Sequence, residues 1–171
     1  KTFMKLKLYL FTLALFAQLS FFGQTLDQSN APSNPSGAVF QIANSGIQNV
    51  GQSFTAGITG RLSQVNVYLN NSSFVAGNFM LTVYNGFGYG GSVVGVEYFS
   101  MSTYPGNGEY IINISNSIQI TSGNVYTLRF DGLSGSVNMF STQDIFSGGV
   151  LYYGSSLPYP AYDLWFKTFV T

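Results

Sequence analysis

The sequence predicts an all-β protein: an antiparallel two-sheet β-sandwich, jelly-roll-like, with about ten strands. Three observations carry this. Short stretches alternate apolar and polar residues with period two, most clearly at Val65, Val67 and Leu69 against Gln64, Asn66 and Tyr68. Gly, Asn, Ser and Pro clusters separate these stretches at short intervals. Beyond the N-terminal segment, no stretch of useful length places apolar residues at helical spacing.

The elements follow in order. Residues 38–43 are a first candidate strand, and Asn44–Ser45–Gly46 turns the chain toward a pair at 50–56 and 62–70. In that pair Phe54 and Ala56 give one inner face, Val65, Val67 and Leu69 the other, and Gly57 and Gly60 bracket the reversal. Leu62 is out of phase with the alternation that follows it, which predicts a bend or bulge near Ser63 and Gln64. Residues 71–77 are expected as a loop and 78–84 as a strand with Phe79, Leu81 and Val83 inward. The glycine-rich segment 85–91 lacks the Lys–Ser/Thr and following helix of a phosphate cradle, so it is a hairpin loop. Strands are then expected at 92–101, 109–115, 118–121 and 125–131, the last with Tyr126, Leu128 and Phe130 on one face and Thr127 and Arg129 on the other. Residues 136–140, 149–153 and 163–170 supply the final three. The number of short strands, and the absence of any Cys…Trp…Cys pattern, favour a jelly roll over an immunoglobulin sandwich.

The start of the chain has a different character. Lys1 to Lys7 is basic and an apolar run follows to Phe22, so residues 1–23 are predicted to be a signal peptide cleaved near Gly23. Residues 24–37, polar and holding Pro32 and Pro35, are expected to be a flexible lead-in, and 38–171 a single domain. This organisation implies a secreted or cell-surface protein with no membrane insertion after cleavage. Past residue 23 the charges are Arg61, Arg129 and Lys167 against Asp27, Glu97, Glu109, Asp131, Asp144 and Asp163. So few cations cannot neutralise a row of phosphates, which argues against nucleic acid as a partner. The sequence holds no Cys and no His, which removes thiol chemistry, Ser–His catalysis and common zinc sites.

Several stretches bear a family likeness. Gln52–Ser–Phe54–Thr–Ala56–Gly57, then Gly60–x–Leu62–x–x–Val65–x–Val67–Tyr68–Leu69, resembles the opening of jelly-roll-like β-sandwich modules in exported, surface-anchored Bacteroidetes proteins. Leu81–Thr–Val83–Tyr84–Asn–Gly86, Ile120–Thr–Ser–Gly123–Asn–Val–Tyr126–Thr–Leu128–Arg–Phe130 and the ending Asp163–Leu164–Trp–Phe166–Lys–Thr168–Phe169–Val170 are similar too. The resemblance implies an exported, non-catalytic module that binds glycan or mediates adhesion, or else a structural spacer within a larger surface protein. Modules of this kind often stand upstream of a C-terminal sorting domain.

Two groups of residues are candidates for chemistry. Tyr152, Tyr153, Tyr159, Tyr162 and Trp165 crowd a segment that also holds Pro158 and Pro160. Exposed rings offer flat apolar surface to the faces of sugars, and alternation in the last strand puts Trp165 and Lys167 opposite Leu164 and Phe166. The expected partner is therefore a polysaccharide or cell-surface glycan. Asp144, Asp163 and Gln52 are candidate oxygen ligands for a structural calcium ion, although no linear calcium motif is present. No strand carries two carboxylates on one face, as a glycosidase pair would need, so no catalytic residue is assigned.

Overall fold

A computed structural model of the protein describes residues 23–43, 48–154 and 157–171. The predicted signal peptide, apart from Gly23, and the turn at 44–46 lie outside the described residues. Every regular element within them is a β-strand, arranged in two antiparallel sheets.

Strands β2 (Val39–Ala43), β4 (Gly60–Val75), β7 (Gly108–Ile120) and β9 (Ser136–Gln143) pair in the order β2-β9-β4-β7. Facing them, β3 (Asn49–Thr55), β5 (Gly77–Asn85), β6 (Val93–Met101) and β8 (Val125–Gly132) pair as β3-β8-β5-β6. The chain crosses from one sheet to the other at nearly every turn. Strand β10 (Leu151–Tyr153) extends the second sheet to five strands. The first reaches seven with β1 (Thr25–Asn30), β11 (Tyr162–Leu164) and β12 (Phe166–Val170).

The period-two pattern explains the core. Val65, Val67 and Leu69 meet Val50, Phe54, Leu81, Val83, Leu128 and Phe130 between the sheets, all with no exposed surface. The rings of Phe54 and Phe166 face each other across the layers at 6.3 Å. Burying each such side chain contributes about 1.5–3 kcal/mol, which is how a chain without disulfides holds together.

Several expectations change at the level of single elements. The bulge predicted near Ser63 is present, because Leu62 pairs with Ile118 while Gln64 pairs with Asn113. The stretches 109–115 and 118–121 are therefore one strand, β7, with residues 114–117 looped out. That bulge is held from both sides. Glu97 accepts N–H bonds from Ser115 and Asn116, and Arg61 donates to the carbonyls of Ile114 and Ser115. Strand β4 runs on through the expected loop to Val75, where it pairs with β9. The expected last strand is two, because β11 pairs with β9 and β12 with β4, with the change at Trp165.

The lead-in is the clearest correction. Residues Thr25–Asn30 are not a flexible tail but strand β1, paired along β12. Their polar side chains make the attachment. Asp27 Oδ1 accepts the N–H groups of Gly57 and Ile58 at 2.8 and 2.7 Å. The Asn30 amide donates to Thr142 Oγ1 and to the carbonyl of Leu164, both at 2.8 Å. A polar sequence was compatible with a strand because these bonds, rather than apolar burial, hold it.

Candidate functional site

The aromatic segment does not form one surface. Trp165 is 4% exposed, with its Nε1–H bonded to the carbonyl of Pro32 at 3.0 Å. Its ring meets the edge of Tyr68 at 5.5 Å, and the Lys167 ammonium lies 5.0 Å from the ring centroid. Alternation placed Trp165 off the core face correctly, but the lead-in covers it, so the expected open Trp platform is corrected. Lys167 is committed as well, donating to both oxygens of Glu109 at 2.9 Å.

The tyrosines divide between two places. Tyr153, Tyr159 and Tyr162 surround Phe40 and close the sandwich edge between β2 and β10, their ring centroids 4.9, 5.7 and 5.8 Å from its ring. Tyr159 stacks on Tyr162 and keeps 46% of its surface exposed. Tyr152 points the opposite way from Tyr153, is buried, and packs on Tyr89 from the glycine-rich loop.

Two of the three calcium candidates, Gln52 and Asp163, do converge, though as a latch. Asp163 is fully buried. Its Oδ1 accepts from Gln52 Nε2 at 3.1 Å, and its Oδ2 accepts the N–H groups of Ile145 and Phe146 at 3.0 and 2.8 Å. Gln52 Oε1 in turn accepts Leu164 N–H at 2.7 Å. Asp144 is exposed and acts on Asp163 only through its charge. Burial pushes the Asp163 carboxyl above its ordinary range, the N–H bonds pull against that, and the Asp144 charge adds to it. The oxygens of Asp163 and Gln52 already serve N–H donors, and the pair alone does not fit a cation that takes six to eight oxygen ligands. Gln52 and Asp163 tie β3, β11 and the 144–148 loop into one unit.

The outer face of the five-stranded sheet offers more chemistry. A groove of about 300 Å³ lies there, lined by Asn78, Tyr98, Phe99, Ser100 and Leu133. Tyr98 is 64% exposed and Leu133 39% exposed. Asn78 and Ser100 are exposed directly opposite each other on β5 and β6. The side chains of Asn78, Ser100 and Tyr98 are free of hydrogen bonds to other described residues, so the groove presents an open ring beside an uncommitted amide and hydroxyl. Tyr98 pairs across strands with Met80, Met80 with Asp131, and Asp131 with Asn49. These four residues make one row across the sheet.

The far end of that row is polar and covered. Asp131 Oδ1 takes both Nε and Nη2 of Arg129, at 3.1 and 2.7 Å. The Arg129 guanidinium sits 4.9 Å from the centre of the Tyr89 ring. Gly86 and Gly88, at φ 86 and 70°, let the loop fold back so that Tyr89 lies over the sheet. Burial raises the Tyr89 hydroxyl well above its ordinary pKa, keeping it protonated. Sequence reasoning did not single out Tyr98, Asn78, Asn49 or Asp131. The available signal was parity, since Asp131, Arg129 and Met80 all fall opposite a run of core residues. Neither a protein-family model nor a curated protein sequence matches the chain.

Proposed function

We propose that this is an exported, non-catalytic jelly-roll module that binds polysaccharide or cell-surface glycan, with the Tyr98 groove as its contact surface. Tyr98 carries the reading: a largely exposed ring on a rigid strand, flanked by the Asn78 amide and the Ser100 hydroxyl. An aromatic face provides flat apolar area at low entropy cost, and neighbouring amides and hydroxyls bond sugar hydroxyls. No carboxylate lines the groove, which favours binding over hydrolysis. The alternation of β2 to β9 between the sheets supports the jelly-roll topology. The resemblance to Bacteroidetes surface modules and the apolar N-terminal run support export to the cell surface.

A pull-down on insoluble cellulose, chitin, xylan and mannan tests this. Retention on at least one matrix, lost in Tyr98→Ala while the melting temperature is kept, is the expected result. Retention on none would return the molecule to the role of a spacer.

A further inference from the structure

Three side chains on the outer face of the seven-stranded sheet meet across three neighbouring strands. Lys167 on β12 stands directly opposite Asn66 on β4. Glu109 on β7 is opposite Tyr68, and so diagonal to Asn66 on its other side. Opposed side chains of one face have Cβ atoms about 4.5–5.5 Å apart, and diagonal ones are within reach of a long side chain. The carboxylate and the ammonium therefore close over Asn66 from its two sides. Glu109 Oε1 accepts from Lys167 Nζ at 2.9 Å and also from Asn66 Nδ2. Asn66 is 3% exposed, and its Oδ1 accepts Gln64 Nε2 at 2.7 Å.

A half-exposed ion pair needs only its two partners and contributes little to stability. Here a primary amide is held between them, and the four groups together are the parts of an acyl transfer. Asn66 Cγ is the electrophile, and the Gln64 amide stands where charge would develop on Oδ1. Lys167 Nζ is the nucleophile. Glu109 touches both the attacking and the leaving nitrogen, which is the position of a proton carrier. The Trp165 ring, its centroid 5.0 Å from Nζ and itself 4% exposed, screens the amine from water on one side.

We propose that Lys167 and Asn66 join in an intramolecular isopeptide bond, with Glu109 carrying the protons. Glu109 takes one proton from the Lys167 ammonium, and the freed amine forms a bond to Asn66 Cγ while the carbonyl pair shifts to Oδ1. Glu109 passes its proton to Nδ2, the carbonyl re-forms, and the Cγ–Nδ2 bond breaks. A second Nζ proton goes to the departing ammonia. One ammonium and one primary amide thus become one secondary amide and one ammonium ion, with Glu109 restored and no outside reagent. The event is a single self-modification, not turnover. An amine held in place attacks as if present at about 10⁵ M or more, which is what lets an ordinary amide react. The bond fastens β12 to β4 and closes residues 67–166 into a loop; in chains where it has not formed, the ion pair remains as described. It is independent of the Tyr98 groove, which lies on the other sheet.

Trypsin digestion and mass spectrometry of the folded, full-length chain after prolonged incubation test this. In the wild type, peptides 62–129 and 130–171 should remain joined and uncut after Lys167, with a combined mass lighter by one ammonia. Lys167→Arg keeps a cation beside Glu109 but removes the amine, and should release the two peptides separately. Glu109→Gln keeps amine and amide but loses the proton carrier, and should form the link at least about a hundredfold more slowly. The wild-type result stands by itself even if a variant fails to fold. Separate wild-type peptides of unaltered mass would overturn the bond and leave a plain ion pair. A loss of ammonia that persists in Lys167→Arg would overturn it too, because another amide is then its source.

Discussion

Replacing Asp163 by alanine probes what ties the C-terminal strands to the sandwich. The carboxylate has no exposed surface and serves Gln52 Nε2, Ile145 N–H and Phe146 N–H. Truncation leaves three donors without their acceptor, each costing about 1–3 kcal/mol. Part of that is offset, because the raised pKa of Asp163 means that burying its charge is itself unfavourable. We expect a net loss of about 2–4 kcal/mol, which lowers the melting temperature of a chain this size by roughly 5–15 °C. The same variant should speed amide exchange at Ile145 and Phe146 more than in the core strands. Urea unfolding combined with hydrogen exchange reads both effects. A loss below about 1 kcal/mol, with unchanged exchange at those two amides, would refute the latch.

Three further outcomes are expected. The chain holds a single Trp, so its fluorescence reports Trp165 alone. Emission should be blue-shifted and resist acrylamide, and deleting residues 23–33 should shift it red and expose it to quencher. Gly51→Ala should destabilise the fold by about 1–3 kcal/mol in a thermal melt, since a Cβ there would stand 2.5 Å from Tyr89 Oη and 2.7 Å from the Leu128 carbonyl. For Glu109, partial burial works against the bonds from Lys167 and Asn66, and the net result is a lowered carboxyl pKa. A depressed folded-state pKa gives stability that is present above the unfolded value and lost as pH falls through the folded one. Stability measured from pH 6 to 3 should therefore fall less steeply in Glu109→Gln than in the wild type.

The sandwich was legible because its faces are written in alternation. Val65, Val67 and Leu69, or Tyr126, Leu128 and Phe130, announce both strand and orientation without any knowledge of their partners. Even the bulge at Ser63 was visible, as a phase error at Leu62. Strand β1 was not, because its attachments are side-chain bonds from Asp27 and Asn30 to residues far along the chain. Trp165 shows the same limit from the other side. Parity put it on the outer face, but what covers that face comes from Pro32, at the opposite end of the chain. Gln52 and Asp163 were readable together as oxygen-bearing candidates for one ion, but their direct bond joins residues far apart in the chain, which no local pattern encodes. Tyr98 escaped notice because exposure depends on what does not pack over a strand, and no local pattern encodes that.

The glycan reading is tested most directly by comparing wild type, Tyr98→Phe and Tyr98→Ala against the polysaccharide that the protein retains best. Stacking needs the ring and not the hydroxyl, so the Phe variant should bind within about threefold of wild type and the Ala variant at least tenfold more weakly. Equal binding by all three proteins, with unchanged melting curves, would contradict the account.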